Sequence, residues 1–320
     1  MSTLKKIVIT TGDLDGIGLE VAAKALEKVG PQKGVQFFYF RGAKAPASLI
    51  KRIGRKFKIK TFLSWPEALD YEPRSYREII EVTSAQPPPK WVESAAVSAF
   101  HHKIDALVTG PLSKPEIMRA GMKDLGHTDI LKRISKAPHA WMTFLGKRFN
   151  VFLLSGHMPV QKIESSLTSE KLELGLREAL RMFKPTARKP LGVLGLNPHA
   201  GDEGLIGSFD DSVLKPVLVK LRAEGAFLEG PLVPDAAFHE DHWKKFAAYV
   251  CCYHDQGLIP FKMIHGFETG VHVTAGLPFV RTSVDHGTAK DIFGKNKADP
   301  RSMIHAIKTA QQMVGREKGT

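Results

Sequence analysis

Five short apolar runs in this chain end in the same manner, and that recurrence limits what the chain can build. Ile7–Thr10 runs into Thr11-Gly12-Asp13, and Asp105–Thr109 into Gly110-Pro111-Leu112. Asn150–Leu154 runs into Ser155-Gly156-His157, Leu191–Leu196 into Asn197-Pro198-His199, and Ala247–Cys252 into Tyr253-His254-Asp255. A continuous apolar run suits a strand covered on both faces, because a half-exposed strand alternates. Helical patterns separate the runs, at Leu19–Val29, Trp91–His102, Thr168–Phe183, Val213–Glu224 and Arg301–Val314. The third has Glu170 in its first turn and Leu172, Leu176, Ala179, Leu180 and Phe183 on one face. Strand, loop and helix in alternation predict an α/β protein with its loops gathered at the carboxyl ends of the strands. Residues 31–90 say little beyond a strand near Val35–Phe40 and a break at Pro87-Pro88-Pro89.

At 320 residues, 43% hydrophobic and 25% charged, the chain is long enough for two lobes of an ordinary soluble protein. No apolar run approaches the roughly 18 residues of a membrane span. Met1-Ser2-Thr3-Leu4-Lys5-Lys6 leads straight into strand-like Ile7-Val8-Ile9 with no signal-peptide core, which favours the cytoplasm. The net charge of +13 suits acidic partners, yet the basic residues are scattered, with no cluster of the kind nucleic-acid modules show. Anionic small molecules fit better than nucleic acid or membrane. Cys251 and Cys252 are adjacent in an apolar run, a poor disulfide geometry, so reduced buried thiols are expected.

A glycine loop between strand Ile7–Thr10 and its helix invites a dinucleotide reading. Gly12, Gly16 and Gly18 lack the G-x-G-x-x-G spacing, and Asp13 and Asp15 would repel a pyrophosphate, so a Rossmann phosphate loop is not expected. Three histidines, His157, His199 and His254, each lie just past an apolar strand. They can converge on a divalent ion if those strands are neighbours, and otherwise are unrelated loop residues. His127 heads Gly126-His127-Thr128-Asp129 and either binds a ligand or caps a helix at Ile130–Ile134. Asp235 and Asp255 either orient a metal-bound histidine, take a proton, or cap loops. The densest stretch is Tyr253–Pro300, where His254, Asp255, Lys262, Arg281, Asp285 and His286 mix with bare glycines, as one wall of an active site would.

That stretch, with Gly12-Asp13-Leu14-Asp15-Gly16-Ile17-Gly18, Thr109-Gly110-Pro111-Leu112-Ser113-Lys114, Gly126-His127-Thr128-Asp129 and Gly230-Pro231-Leu232-Val233-Pro234-Asp235, resembles the 4-hydroxythreonine-4-phosphate dehydrogenase family of pyridoxal phosphate biosynthesis. The resemblance implies a two-lobed α/β/α fold of the isocitrate/isopropylmalate dehydrogenase type, not a Rossmann fold, with a cleft between the lobes. One lobe is expected at 1–130 plus 285–320 with the cofactor loop, the other at 131–284 with metal and dimer contacts. It implies a metal site at His157, His199 and His254 for zinc, cobalt, magnesium, manganese or nickel. Substrate contacts fall on His127, Thr128, Lys262, His272 and Arg281, where an arginine fork suits a carboxylate or phosphate. His286, Gly287, Thr288, Ala289, Asp291 and Asn296 resemble the adenine-binding loop of isopropylmalate and isocitrate dehydrogenases and are expected to hold NAD or NADP. Lys262, Asp255 and Asp235 are the catalytic candidates. The chain departs from the family at Leu14 and Leu19, which stand at proline positions, at Ala275 for a leucine, and at His272, which replaces a substrate-contacting asparagine.

The activity implied is NAD-dependent, metal-dependent oxidation of 4-phosphooxy-L-threonine to 2-amino-3-oxo-4-phosphooxybutanoate, which decarboxylates to 3-amino-2-oxopropyl phosphate. A homodimer with shared active sites is implied with it. Three rivals stand beside this: a paralogous dehydrogenase of 4-phospho-D-threonate or 4-phosphoerythronate, a metal-dependent hydrolase that needs no dinucleotide, and a catalytically silent metabolite-binding protein that would bind anions without turnover.

Overall fold

A computed structural model describes residues 4–266 and 269–316, so Met1-Ser2-Thr3 of the N-terminal stretch lie outside the described residues. Twelve strands occur among the described residues. They are β1 (Lys5–Thr10), β2 (Val35–Gly42), β3 (Lys58–Phe62), β4 (Glu78–Ser84), β5 (Ala106–Thr109), β6 (Trp141–Leu145), β7 (Val151–Leu153), β8 (Leu191–Leu194), β9 (Leu228–Leu232), β10 (Tyr249–Cys251), β11 (Val271–Ala275) and β12 (Val280–Ser283). The chain divides into two compact units, Met1–Ala140 with Phe267–Thr320, and Trp141–Gly266. The crossings expected near 130 and 284 fall at 140 and 266 in this division, which puts β11 and β12 in the first unit.

In the first unit the strands run in the order β3-β4-β2-β1-β5-β12-β11. All neighbours are parallel except β11 and β12. Parallel strands need crossover helices on their faces, which is why β1, β2 and β5 are buried throughout or nearly so. Helix Gly18–Val29 buries Val21, Ala22, Ala25 and Leu26, one stripe at helical spacing. The proline run at 87–89 does more than break the chain: it starts helix Pro88–Phe100, which begins three residues earlier than the apolar pattern suggests. Proline belongs there, because the first turn has no partner for its missing N–H. Trp91, Val92, Ala95, Ala96 and Ala99 of that helix join Phe38, Phe40 and Leu107 in the core of this unit. Residues 31–90, nearly mute as sequence, supply three of its seven strands.

The second unit orders its strands β6-β7-β10-β8-β9, parallel except for β6 against β7. Its core gathers Phe149, Leu153, Leu194, Tyr249, Leu258 and Phe261. Helix Ser169–Phe183 is capped by Thr168, whose hydroxyl accepts from Lys171 N at 3.3 Å. The helix expected at Val213–Glu224 is Lys215–Ala223, preceded by a π-helical turn at Asp210–Leu214. Cys251 and Cys252 are buried free thiols, and burial pushes both well above the usual thiol range.

Candidate active site

The first unit brings Arg281, His127 and the cofactor-loop candidates to the strand ends of one sheet. Parallel β1, β5 and β12 are neighbours, so the loops at their carboxyl ends emerge side by side. On one flank of β1 the order runs back to β2 and on the other forward to β5, the reversal at which open α/β sheets place their ligands. Close approach explains the glycines. Gly12 has φ +78°, and a Cβ there would sit 1.9 Å from the Pro111 carbonyl oxygen. The backbones dock accordingly: Asp13 N donates to Pro111 O at 3.1 Å, and Ser113 N donates to the buried Asp13 carboxylate at 3.0 Å.

Arg281 is 2% exposed on β12. Its guanidinium donates to Thr109 Oγ1 at 2.7 Å and Thr274 Oγ1 at 2.9 Å, and approaches His272 Nδ1 at 3.2 Å. None of these partners carries a negative charge, and Nε has no hydrogen-bond partner. Burial therefore pushes the guanidinium below its usual range, to about 9. A buried cation without an anionic partner is costly, and an anion placed against this guanidinium would relieve that cost.

His127 and Thr128 open helix His127–Ser135, three residues ahead of the expected Ile130 start. The helix includes His127, so the histidine is not a cap outside it. No side chain caps this helix, and its positive end suits a phosphate or carboxylate. The His127 ring bonds the Gly110 backbone; burial and then the Arg281 charge hold its pKa down to about 3. It is thus a neutral ring at physiological pH, with a sealed Nε2 that has no partner.

The cofactor-loop candidates lie on the same platform. Thr288 O accepts from Ile17 N at 3.0 Å, and Lys290 reaches Asp15 at 2.7 Å and Asp13 at 3.5 Å. That pairing lowers the Asp15 pKa and raises that of Lys290. Ala289 and Asn296 adopt left-handed backbones at φ 42° and 55°, while Asp291 is exposed in the turn Lys290–Ile292. Lys24 holds the far end through Asn296 O and Ala298 O. His286 Nδ1 lies 2.9 Å from Gly287 O, and its enclosed Nε2 is orphaned. A buried unpaired ring nitrogen beside a glycine-lined loop fits a polar, hydrogen-bonding ligand such as an adenine. Asp13 and Lys290 escaped sequence reasoning as members of this platform, since a lone acid in a glycine loop looks like any turn residue.

The second unit carries the three strand-end histidines. Their strands β7, β10 and β8 are adjacent and parallel, so His157, His254 and His199 leave one sheet edge in that order. The rings of His157 and His254 lie 4.9 Å apart. Among the described residues no three histidine, cysteine or acidic side chains close to within metal-holding distance, so His199 is not drawn in with the other two. His199 begins an unusual turn: His199, Ala200, Gly201, Asp202 and Glu203 are all left-handed, with φ from 45° to 86°. Such geometry costs roughly 1–2 kcal/mol per non-glycine residue and needs support. Asp210, fully buried, supplies it by accepting from Leu196 N at 2.7 Å and Asn197 N at 3.0 Å.

Imidazoles are donors of the type a divalent transition ion takes, and two of the three, His157 and His254, face each other here. His254 Nδ1 lies 2.6 Å from an Asp255 carboxylate oxygen, the carboxylate–histidine pairing that metal-binding histidines use. Asp255 is thereby committed to His254. Lys262 lies two turns along the same helix, His254–His265, and is half-buried. Asp235 is exposed at the start of helix Pro234–Ala237.

Known proteins bear on both the fold and the family. An isocitrate dehydrogenase from Methylococcus capsulatus superposes with a TM-score of 0.53 at 15% identity, over 98% of this chain and 86% of that one. The fold is therefore the α/β fold of the isocitrate-type dehydrogenases. Residues 73–310 match the family model "Pyridoxal phosphate biosynthetic protein PdxA". A 4-hydroxythreonine-4-phosphate dehydrogenase from a Sulfurihydrogenibium species is 37% identical, with 95% of this chain and 97% of the relative covered. A D-threonate 4-phosphate dehydrogenase from Salmonella typhimurium is 31% identical over 97% and 99%. The crystal structure of a 4-hydroxythreonine-4-phosphate dehydrogenase from Klebsiella pneumoniae reaches a TM-score of 0.78 at 28% identity, covering 97% and 99%. The chain belongs to the PdxA family and is an oxidoreductase. No helix among the described residues is long and apolar enough to cross a membrane.

Proposed function

We propose that this protein oxidises 4-phosphooxy-L-threonine at its 3-hydroxyl with NAD, giving 2-amino-3-oxo-4-phosphooxybutanoate, which loses CO2 to leave 3-amino-2-oxopropyl phosphate. The observation that carries the reading is Arg281, a buried guanidinium whose partners are two threonine hydroxyls and an imidazole. A substrate with phosphate and carboxylate ends supplies the missing negative charge.

The chain's own groups divide the work. Arg281, with the leading amides of helix His127–Ser135 and the side chains of His127 and Thr128, binds and orients the anionic ends. Neutral His127 can do this by hydrogen bonding without competing for a proton. His286, Gly287, Thr288, Ala289, Asp291 and Asn296 take the dinucleotide, with Asp15 and Lys290 fixing that loop. His157, His199 and His254 are the ligands for a divalent ion, and Asp255 orients His254. Lys262, Asp255 and Asp235 are the candidates to take the hydroxyl proton, with Asp255 also in contact with His254. When bound, the nicotinamide accepts the hydride and the divalent ion polarises the reacting oxygen. A homodimer belongs to the same reading. Ile259 and Met263, one turn apart on helix His254–His265, are 59% and 78% exposed, an apolar stripe that a second copy would cover.

A second substrate is favoured by one residue. His272, where the family uses asparagine, approaches Arg281, and a relative covering nearly this whole chain acts on D-threonate 4-phosphate. The deciding experiment follows absorbance at 340 nm with NAD, a divalent ion and each candidate substrate in parallel. Turnover of 4-phosphooxy-L-threonine alone supports the primary reading. Preference for 4-phospho-D-threonate or 4-phosphoerythronate moves the protein to the paralogous role, and hydrolysis without NADH formation overturns both.

A further inference from the structure

Two side chains lace together the strand ends from which the three histidines depart. Ser155 Oγ donates to Cys252 O at 2.7 Å, joining the end of β7 to the end of β10. Gln256 then joins β10 to β8. Its Oε1 accepts from Cys252 N at 2.7 Å, and its Nε2 donates to Gly195 O at 2.7 Å. The orientation of this amide is forced, since a backbone N–H needs the oxygen and a carbonyl needs the NH2 group. Both polar groups of Cys252 are thus held by side chains and not by ladder bonds. Along the chain, His157 follows Ser155 by two residues, His254 follows Cys252 by two, and His199 follows Gly195 by four.

We infer that Gln256, seconded by Ser155, is a positioning residue that sets the mutual placement of His157, His254 and His199. This rests on the metal reading above. The physical reason is local. β10 spans only Tyr249–Cys251, and β8 pairs with it at two positions, Tyr249↔Gly192 and Val250↔Val193. Past those pairs the ladder stops; Gly195 N still bonds Leu232 O on β9, but between the ends of β10 and β8 there remains, besides Gln256, the weak Cys252 Sγ–Leu194 O contact at 3.4 Å. The Gln256 amide extends the seam by one further link at that point. It does so from the first turn of helix His254–His265, so the link also sets where His254 begins. Asp210 then holds the next two amides of the His199 loop.

The test uses the full-length protein in its native assembly and Co(II) alone as the probe. Gln256→Met keeps the length and removes both bonds, while Ser155→Ala removes one. The expected result for Gln256→Met is Co(II) affinity lowered about 10–100-fold and an altered ligand-field spectrum. Its kcat should fall while KM for the phosphorylated substrate stays within about 2-fold, a split that a general loss of fold would not produce. Ser155→Ala should move the same readouts in the same direction by less, and it decides the matter if Gln256→Met does not fold. Unchanged Co(II) affinity and spectrum in the folded variants, with tight binding by the wild type, overturn this inference alone. A wild-type protein that binds no Co(II) overturns the metal reading and this inference with it.

Discussion

Arg281 donates to Thr109 Oγ1 at 2.7 Å although 172 positions separate the two residues. Strand register is the cause. β12 pairs with β5 so that Arg281 sits beside Leu107, and Thr109, two residues on, points to the same face. On the other side, antiparallel pairing of His272 with Ser283 and Val273 with Thr282 sets Thr274 opposite Arg281. Two hydroxyls and an imidazole thus hold the guanidinium in a fixed plane while leaving its charge unmatched.

Replacing Arg281 with alanine should weaken the anionic substrate in ground and transition states alike. The expected loss in kcat/KM is about 1.5–3 kcal/mol, roughly 10- to 150-fold, mostly in KM. Arg281→Lys should recover part of it, since the charge returns without the fork. Steady-state kinetics on each variant is the check, and an unchanged kcat/KM removes Arg281 from the site.

Asp210→Ala should destabilise the His199 loop. The substitution strands Leu196 N and Asn197 N without an acceptor in a half-buried setting, a cost of roughly 2–4 kcal/mol for two bonds to a carboxylate. Denaturant unfolding should show a lower midpoint, and Asp210→Asn should restore part of it by returning one acceptor.

His127 predicts an acid limb in stability. Its folded pKa, about 3, lies below the ordinary histidine value of 6.5, so the unfolded chain binds the proton first. His265 shifts in the same direction, with burial as the main cause and Phe261 O and Arg148 N bonded to its two ring nitrogens. The stabilisation is fully present above the unfolded value and is lost as pH falls from about 6.5 toward the folded value. Each histidine adds a slope of up to about 1.4 kcal/mol per pH unit within that window. Unfolding free energy measured from pH 7 to 5 should fall accordingly, and less steeply in His127→Gln.

Loss of His199 should test the metal site without unfolding the protein, because the side chain is exposed. His199→Ala is expected to lower divalent-ion retention and abolish NADH formation while circular dichroism stays unchanged. Full turnover by the metal-stripped variant would remove His199 from the ligand set.

Much of this was readable from residues in order. Period and punctuation are local, so the apolar runs, the helix stripes at Val21–Leu26 and Leu172–Ala179, and the glycine loop that fails the Rossmann spacing all stand in the sequence. The site candidates also announce themselves, because histidines and arginines are scarce at strand ends unless something needs them there. Other features gave no signal. Asp210 and Gln256 look like ordinary polar residues, and the prolines at 87–89 read as a break although they start a helix. Strand order, register and burial depend on which distant segments pair, and no window of the chain contains that information. The sequence by itself determined the α/β alternation, the family motifs and the identity of the candidate groups. Only the tertiary structure decided that Arg281 is buried among neutral partners, that His127 stays unprotonated, and that Asp255 is engaged by His254. Charge, proton affinity and hydrogen bonding at these residues are set by neighbours brought together through long-range pairing and by the water that pairing excludes.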